Sequence, residues 1–426
     1  MVKWRKSTVV VLATITLLAV SGCGRTEADE NSAAAGPISD GPATGELSVW
    51  ALGAGGDALK EIAEDFEAIN PEVKVNVTSL AWETAHDKIA TAIAGGTTPD
   101  VTQIGTTWMG EFAGTGALDI TPSSMETPTR FFDSAWEMIG VNGTNYGYPW
   151  YADTFAYYYR ADLAEKAGVK PPTTWAELMT FTKALQGAGA EYGIYLPPSG
   201  WDWPAFTAIP MGWQAGGAVL NDDGTEFAFD TPEWREALSF YSSFFEERVA
   251  APREYAWGEW ESAMGEGVIG SFIAGPDDIG TLEGLTQGGF EDGKFGVTVL
   301  PAGEVNGHSY YGGGNLAVFK DTENRDAAWK FVDYLSQPEA QQKLYELAGS
   351  IPASVEAWEL PVFNDPELLV FRKQLEATTP MPSIPTITEI TAAVDEAVAA
   401  IVKGGTPVTD AVSDLQAKAT RIGTGN

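Results

Sequence analysis

From residue 46 to residue 104 the chain alternates between short apolar runs and helical stripes. "ELSVWAL" (46–52) reads as a strand, and the "GAGGD" after it as a loop. Leu59, Ile62, Ala63, Phe66 and Ile69 then recur at helical spacing, which predicts a helix over 57–69 that Asn70-Pro71 stops. "VKVNV" (73–77) predicts a second strand, 83–94 a helix ended by Gly95-Gly96, and "PDVTQI" (99–104) leads into a third strand. Strands alternating with helices in this way predict a parallel sheet covered by helices. Ligands of such sheets sit beyond the carboxyl ends of the strands. That rule puts Trp50 to Asp57, Ala81-Trp82 and Thr106-Thr107-Trp108 on one rim. Gly53, Gly55 and Gly56 fit neither the dinucleotide nor the Walker glycine spacing.

The middle of the chain carries a second set of elements. Helices are expected over 173–189 (with a Thr N-cap), 201–220 and 231–249, and strands over 267–276 and 294–301. Residues 324–349 predict a helix pair broken at Gln337-Pro338, and 386–420 are mostly helical. With 426 residues the chain is too long for one ordinary core, so two α/β lobes are expected. Between them lies "GYPWYADTFAYYYR" (147–160), with seven aromatic side chains in fourteen positions and one carboxylate, Asp153. Alternation along a strand sets Tyr151, Asp153, Phe155 and Tyr157 on one face and Ala152, Thr154, Ala156 and Tyr158 on the other. Phe155, Tyr158 and Tyr159 are expected in the core, and Trp150, Tyr151 and Asp153 facing a cleft.

Charge narrows the partners. The 25 basic and 59 acidic residues give a formal net charge of -34. A chain so acidic, with no basic stripe, repels phosphate backbones, so nucleic acid is not an expected partner. Two histidines, His86 and His308, and one cysteine offer no metal-ligand spacing, and no cofactor is expected. The N-terminus supplies an address. Lys3, Arg5 and Lys6 precede an apolar run, Val9 to Val20, that is too short to span a bilayer and reads as a secretory signal over 1–22. "LAVSGC" resembles a bacterial lipobox, which implies lipidation of Cys23, the only cysteine. Residues 23–45 read as that lipidated cysteine followed by a flexible leash.

From Glu46 onward the chain resembles the extracellular sugar-binding lipoproteins of bacterial ABC importers, the group that includes the maltose-binding proteins. "ALKEIAEDFEAINPEVKVNV", "IATAIAGGTTPDVTQIG", "GYPWYADTFAYYYRADLAEKAGV", "NRDAAWKFVDYLSQPEAQQK" and "GSIPA" carry the likeness by their order and spacing. The resemblance implies a two-lobed periplasmic-binding-protein clamshell of type II, with three hinge crossings near 151–156, 307–311 and 350–354. Lobe one would comprise 46–152 plus 310–350, and lobe two 155–307 plus 353–426. It also implies a monomer outside the cytoplasm, tethered to the cell membrane by lipid. Such a protein would bind a di- or oligosaccharide between the lobes and deliver it to the permease subunits of an ABC importer, without catalysis.

A sugar ring presents C–H faces to aromatic rings, and its hydroxyls need paired acceptors and donors. The candidate contacts are therefore rings with nearby Asp and Asn. On lobe one they are Trp50, Trp82, Thr107 and Trp108, with Asp57 behind them, and at the hinge Trp150, Tyr151 and Asp153. On lobe two they are Trp201, Asp202 and Trp203, with Asp277. Near the third connection, Tyr310, Gly313, Gly314 and Asn315 sit where the family's glycine-rich segment approaches ligand. Trp136, Trp175, Trp213, Trp234, Trp329 and Trp358 are read as core. Two alternatives stand beside this reading: the same fold taking a polyamine or iron, for which Tyr310-Tyr311 beside His308 would serve, and a secreted glycoside hydrolase.

Overall fold

The computed structural model describes residues 36–200, 204–256, 258–286 and 289–425. The expected signal, Cys23 and the Trp201–Trp203 stretch lie outside them. Strand β1 (Thr44–Leu52) starts two residues before the expected Glu46, because Ala43 is already buried and its N–H donates to Asn70 Oδ1 at 2.9 Å. Helix α1 (Gly53–Ile69) begins in the glycines expected to form a loop. Gly53 has φ +54, and a Cβ on Gly56 would stand 2.9 Å from the Ala51 carbonyl oxygen. Glycine therefore lets the helix start directly off the strand. Leu59, Ile62 and Phe66 bury the predicted stripe.

Strand β2 (Glu72–Leu80), helix α2 (Trp82–Gly95) and strand β3 (Val101–Gly105) complete the parallel unit. β1 lies between β2 and β3 and runs parallel to both. Strand β4 (Tyr148–Asp153) ends at the first connection, and β5 (Ala156–Arg160) resumes two residues later in a different sheet. Helices α3 (Trp175–Ala188), α4 (Ala205–Gln214) and α5 (Pro232–Glu246) follow. α3 and α5 are capped by Thr174 and Thr231, whose side chains accept from Glu177 N–H and Trp234 N–H. Strand β6 (Ser271–Ala274), helix α6 (Asp277–Thr286) and strand β7 (Phe295–Thr298) complete the second set, in which β6 and β7 flank β5 antiparallel.

The chain returns to the large sheet with β8 (Ser309–Val318), antiparallel to both β3 and β4. Helices α7 (Arg325–Leu335) and α8 (Pro338–Ala348) part at Ser336-Gln337, and β9 (Ile351–Pro352) pairs with β4. The large sheet thus runs β9-β4-β8-β3-β1-β2, and β10 (Thr378–Pro380) joins it beside the first three residues of β8. Helices α9 (Ile387–Val402) and α10 (Val408–Ile422) pack on each other and against α4 and α5. The large sheet draws its strands from 44–153 and 309–380, and the three-stranded sheet from 156–298. No helix among the described residues is long and apolar enough to cross a membrane.

Candidate functional site

β2 and β3 flank β1 and run in the same direction, and each hands over within a turn to a tryptophan. Trp82 opens α2, and Trp108 closes the single turn after β3. Their rings meet edge to face, with centroids 5.6 Å apart at 66°. Two glycines make room for them. A Cβ on Gly53 would stand 2.9 Å from the Trp82 ring, and one on Gly105 3.2 Å from the Trp108 ring. Trp108 is held further by His86, edge-on at 5.2 Å, and His86 Nε2 lies 2.8 Å from Glu111 Oε2. The bond to the Glu111 carboxylate raises the imidazole above its ordinary pKa against the opposing effect of burial. Trp82 stays 37% exposed, a large ring left open to solvent.

These residues form one wall of a cleft of about 360 Å³ that Thr107, Asp153, Tyr310 and Gly313 also line. Asp153, at the end of β4, accepts a hydrogen bond at 3.1 Å from the Tyr310 hydroxyl, so its Oδ2 is satisfied. Its Oδ1 is sealed from solvent and has no partner among the described residues. Burial, reinforced by the neighbouring Asp277 carboxylate, pushes Asp153 up to about 7. Tyr310 packs edge-on to Phe155 at 4.8 Å and tilted to Phe206 at 5.0 Å. Burial and the Asp153 carboxylate raise its phenol well above the ordinary value. At Gly313, φ is +113 and a Cβ would fall 2.2 Å from the Tyr151 carbonyl oxygen, so only glycine fits.

The other sequence candidates lie elsewhere. Trp150 is fully buried beneath α1, 3.5 Å from a Cβ position on Gly55, rather than facing the cleft. Alternation along β4 sends Trp150 to the face opposite Tyr151 and Asp153. Tyr151 lies just below the cleft, where its hydroxyl accepts from Gln103 Nε2 at 3.0 Å and its ring covers Gly314. Asn315 is buried and donates to the Met138 carbonyl at 3.3 Å. Trp50 sits in a separate groove beside Lys88 and Thr91 of α2, and Asp57 is exposed in an ion pair with Lys60 at 2.7 Å. Asp277 is exposed at the start of α6, with its Oδ1 2.9 Å from a Cβ position on Gly275 that is 3.1 Å from Asp153 Oδ1. His308 bonds Thr379 at 2.9 Å and Tyr310 bonds Asp153, while Tyr311 is buried and its hydroxyl has no hydrogen-bond partner among the described residues.

The cleft also has lining that periodicity did not single out. Glu83, His86 and Asp87 come from the first turns of α2, Phe206 from α4, and Ile387, Thr388 and Thr391 from α9. For Glu83 to Asp87 the signal was present, since they share the helix that Trp82 opens. For Ile387 and Thr388, at the start of a tail helix nearly 300 residues away, nothing local marks them.

Residues 50–342 match the family model described as "Bacterial extracellular solute-binding protein". The maltotriose-binding protein of Pyrococcus abyssi is 28% identical over 361 residues, which cover 81% of this chain and 74% of that one. A maltooligosaccharide ABC transporter solute-binding lipoprotein of Streptococcus pneumoniae is 27% identical over 405 residues, covering 90% and 89%. The sugar-binding protein MalE of Xanthomonas citri superposes with a TM-score of 0.82 at 29% identity, covering 89% of this chain and 97% of that one. Fold, sequence and structural likeness agree: the chain belongs to the bacterial extracellular solute-binding proteins, in the type II fold of the sugar-binding members that serve ABC transporters.

Proposed function

We propose that this protein captures a di- or oligosaccharide in the cleft beside Trp82, Trp108, Asp153 and Tyr310, and passes it unchanged to the permease subunits of an ABC importer. The observation that carries this reading is the pair of tryptophans that follow β2 and β3, one of them exposed, sharing a cleft with a carboxylate of which one oxygen has no partner among the described residues. Rings take the C–H faces of a sugar, and the carboxylate accepts from its hydroxyls. In this reading Thr107 and Gly313 contact the ligand as well. Lobes 46–152 plus 310–350 and 155–307 plus 353–426 close over it by bending at their connections. The division of strands between two sheets supports that partition except at β10, which joins the large sheet although 353–426 is assigned to lobe two. Lipid on Cys23 would hold the monomer at the outer surface of the cell membrane, near its permease.

Titration with neutral and amino-substituted di- and oligosaccharides, following tryptophan fluorescence and melting temperature together, tests the capture step. A ligand that binds only the native state raises the melting point by mass action. One sugar that moves both signals and is recovered intact supports the reading. A cleaved sugar would make the protein an enzyme, and no response to any sugar would remove the saccharide.

A further inference from the structure

The cleft is acidic as well as aromatic. Glu83, Asp87 and Asp153 line it, and no Lys or Arg does so among the described residues. His86, the basic ring in the lining, is hydrogen-bonded to Glu111. The groups that face the Asp153 carboxyl are the Tyr310 and Tyr311 hydroxyls from β8, the Tyr158 hydroxyl from β5 and the Asp277 carboxylate from α6, with Tyr151 on its own strand. Gly275 lies tightly against both aspartates and leaves no room for a side chain between them. Oδ1 of Asp153 and Oδ1 of Asp277 each lie about 3 Å from the place where a side chain at 275 would begin. Asp153 Oδ1 has no donor among the described residues, although Tyr310 already serves its other oxygen.

A sugar hydroxyl would donate one hydrogen bond there and leave two like charges facing each other. An ammonium donates up to three, cancels charge, and is attracted to the faces of Trp82, Trp108 and Tyr310. An anionic substituent has no Lys or Arg to pair with among the described lining residues. We infer that the saccharide taken by this cleft carries a protonated amino group, seated on Asp153 with Asp277 as a second acceptor. This rests on the saccharide reading above and narrows it to amino-substituted sugars.

The test is calorimetry near neutral pH with 1,4-linked glucosamine disaccharides in both anomeric configurations. Their N-acetylated and plain glucose counterparts keep the shape and remove the charge. An amino form should bind about ten- to hundredfold more tightly than its neutral counterpart, the range for a charge-assisted bond. Asp153→Asn should bring that ratio close to one. Asp277→Asn, at an exposed position and with a side-chain oxygen that can still accept from the backbone at the start of α6, should lower it part of the way. A neutral counterpart that binds as tightly as the amino form overturns the inference and leaves the saccharide reading standing. Amino forms that fail to bind at millimolar concentration overturn it too, and if the neutral forms also fail, the saccharide reading falls with it.

Discussion

Replacing Asp153 with asparagine should stabilise the protein at alkaline pH and leave it unchanged in acid. The carboxyl is raised from its ordinary 3.8 to about 7 by burial and by Asp277. The folded state therefore binds this proton more tightly than the unfolded chain does. The stabilisation it brings is fully present below pH 3.8 and is lost as pH rises towards 7, above which the loss is complete. At about 1.4 kcal/mol for each tenfold change in the proton equilibrium, the loss is about 4 kcal/mol. Asparagine removes that loss but weakens the Tyr310 bond by about 1 kcal/mol, which leaves about 3 kcal/mol net. With an unfolding entropy of ~2.1 cal/mol/K per residue, a chain of this size that unfolds in one step would melt about 4 °C higher. Melting curves of wild type and Asp153→Asn from pH 4 to pH 8 read this directly. The two should coincide at pH 4 and separate above pH 5. A constant difference across the range, or a variant less stable at pH 8, would refute the burial of a carboxylate that Tyr310 serves at one oxygen alone.

Further outcomes follow from the same geometry. Trp82→Ala should lower saccharide affinity roughly tenfold, the order seen when a tryptophan anchor is truncated, and change stability by less than about 1 kcal/mol, since the ring is already 37% exposed. Fluorescence titration and melting temperature separate the two effects. Gly313→Ala should cost more than about 2 kcal/mol by chemical denaturation, because φ +113 and a Cβ 2.2 Å from the Tyr151 carbonyl oxygen add strain to a clash. His86→Gln should remove a pH-dependent contribution of about 1 kcal/mol or less. The Glu111 bond raises the His86 pKa above 6.5, so that contribution is present below pH 6.5 and is lost as pH rises through the folded value. Melting temperatures at pH 6 and pH 8 should differ less in the variant than in wild type.

Much of the fold is legible in local pattern, because burial of one helix face or one strand face leaves a period that the chain itself displays. The stripe Leu59, Ile62, Phe66 is of that kind, and the threonine cap at 174 and the break between α7 and α8 are equally local signals. Two differences are equally instructive. The helix start at Gly53 was hidden because glycine has no propensity for helix, and close contact with Ala51 outweighs that preference here. Trp150 looks like its neighbours in composition, yet alternation along β4 and the proximity of α1 bury it.

The sequence by itself determined the elements, the parallel order of the first three strands and the rim at their carboxyl ends, where Trp82 and Trp108 meet. Those are short-range consequences of side-chain period and of the direction in which each strand runs. Only the tertiary structure decided which rim residues share one cleft. Trp50 and Trp82 both follow the rule for strand ends, but they fall in different grooves beside α2. Phe206 and Ile387 reach the cleft because α4 and α9 pack together, a contact between segments about 180 residues apart. The acidic pair of Asp153 and Asp277 is likewise a product of β4 and α6 meeting at Gly275. No periodicity records such meetings, because they depend on how separate faces are buried against each other rather than on the residues next in line.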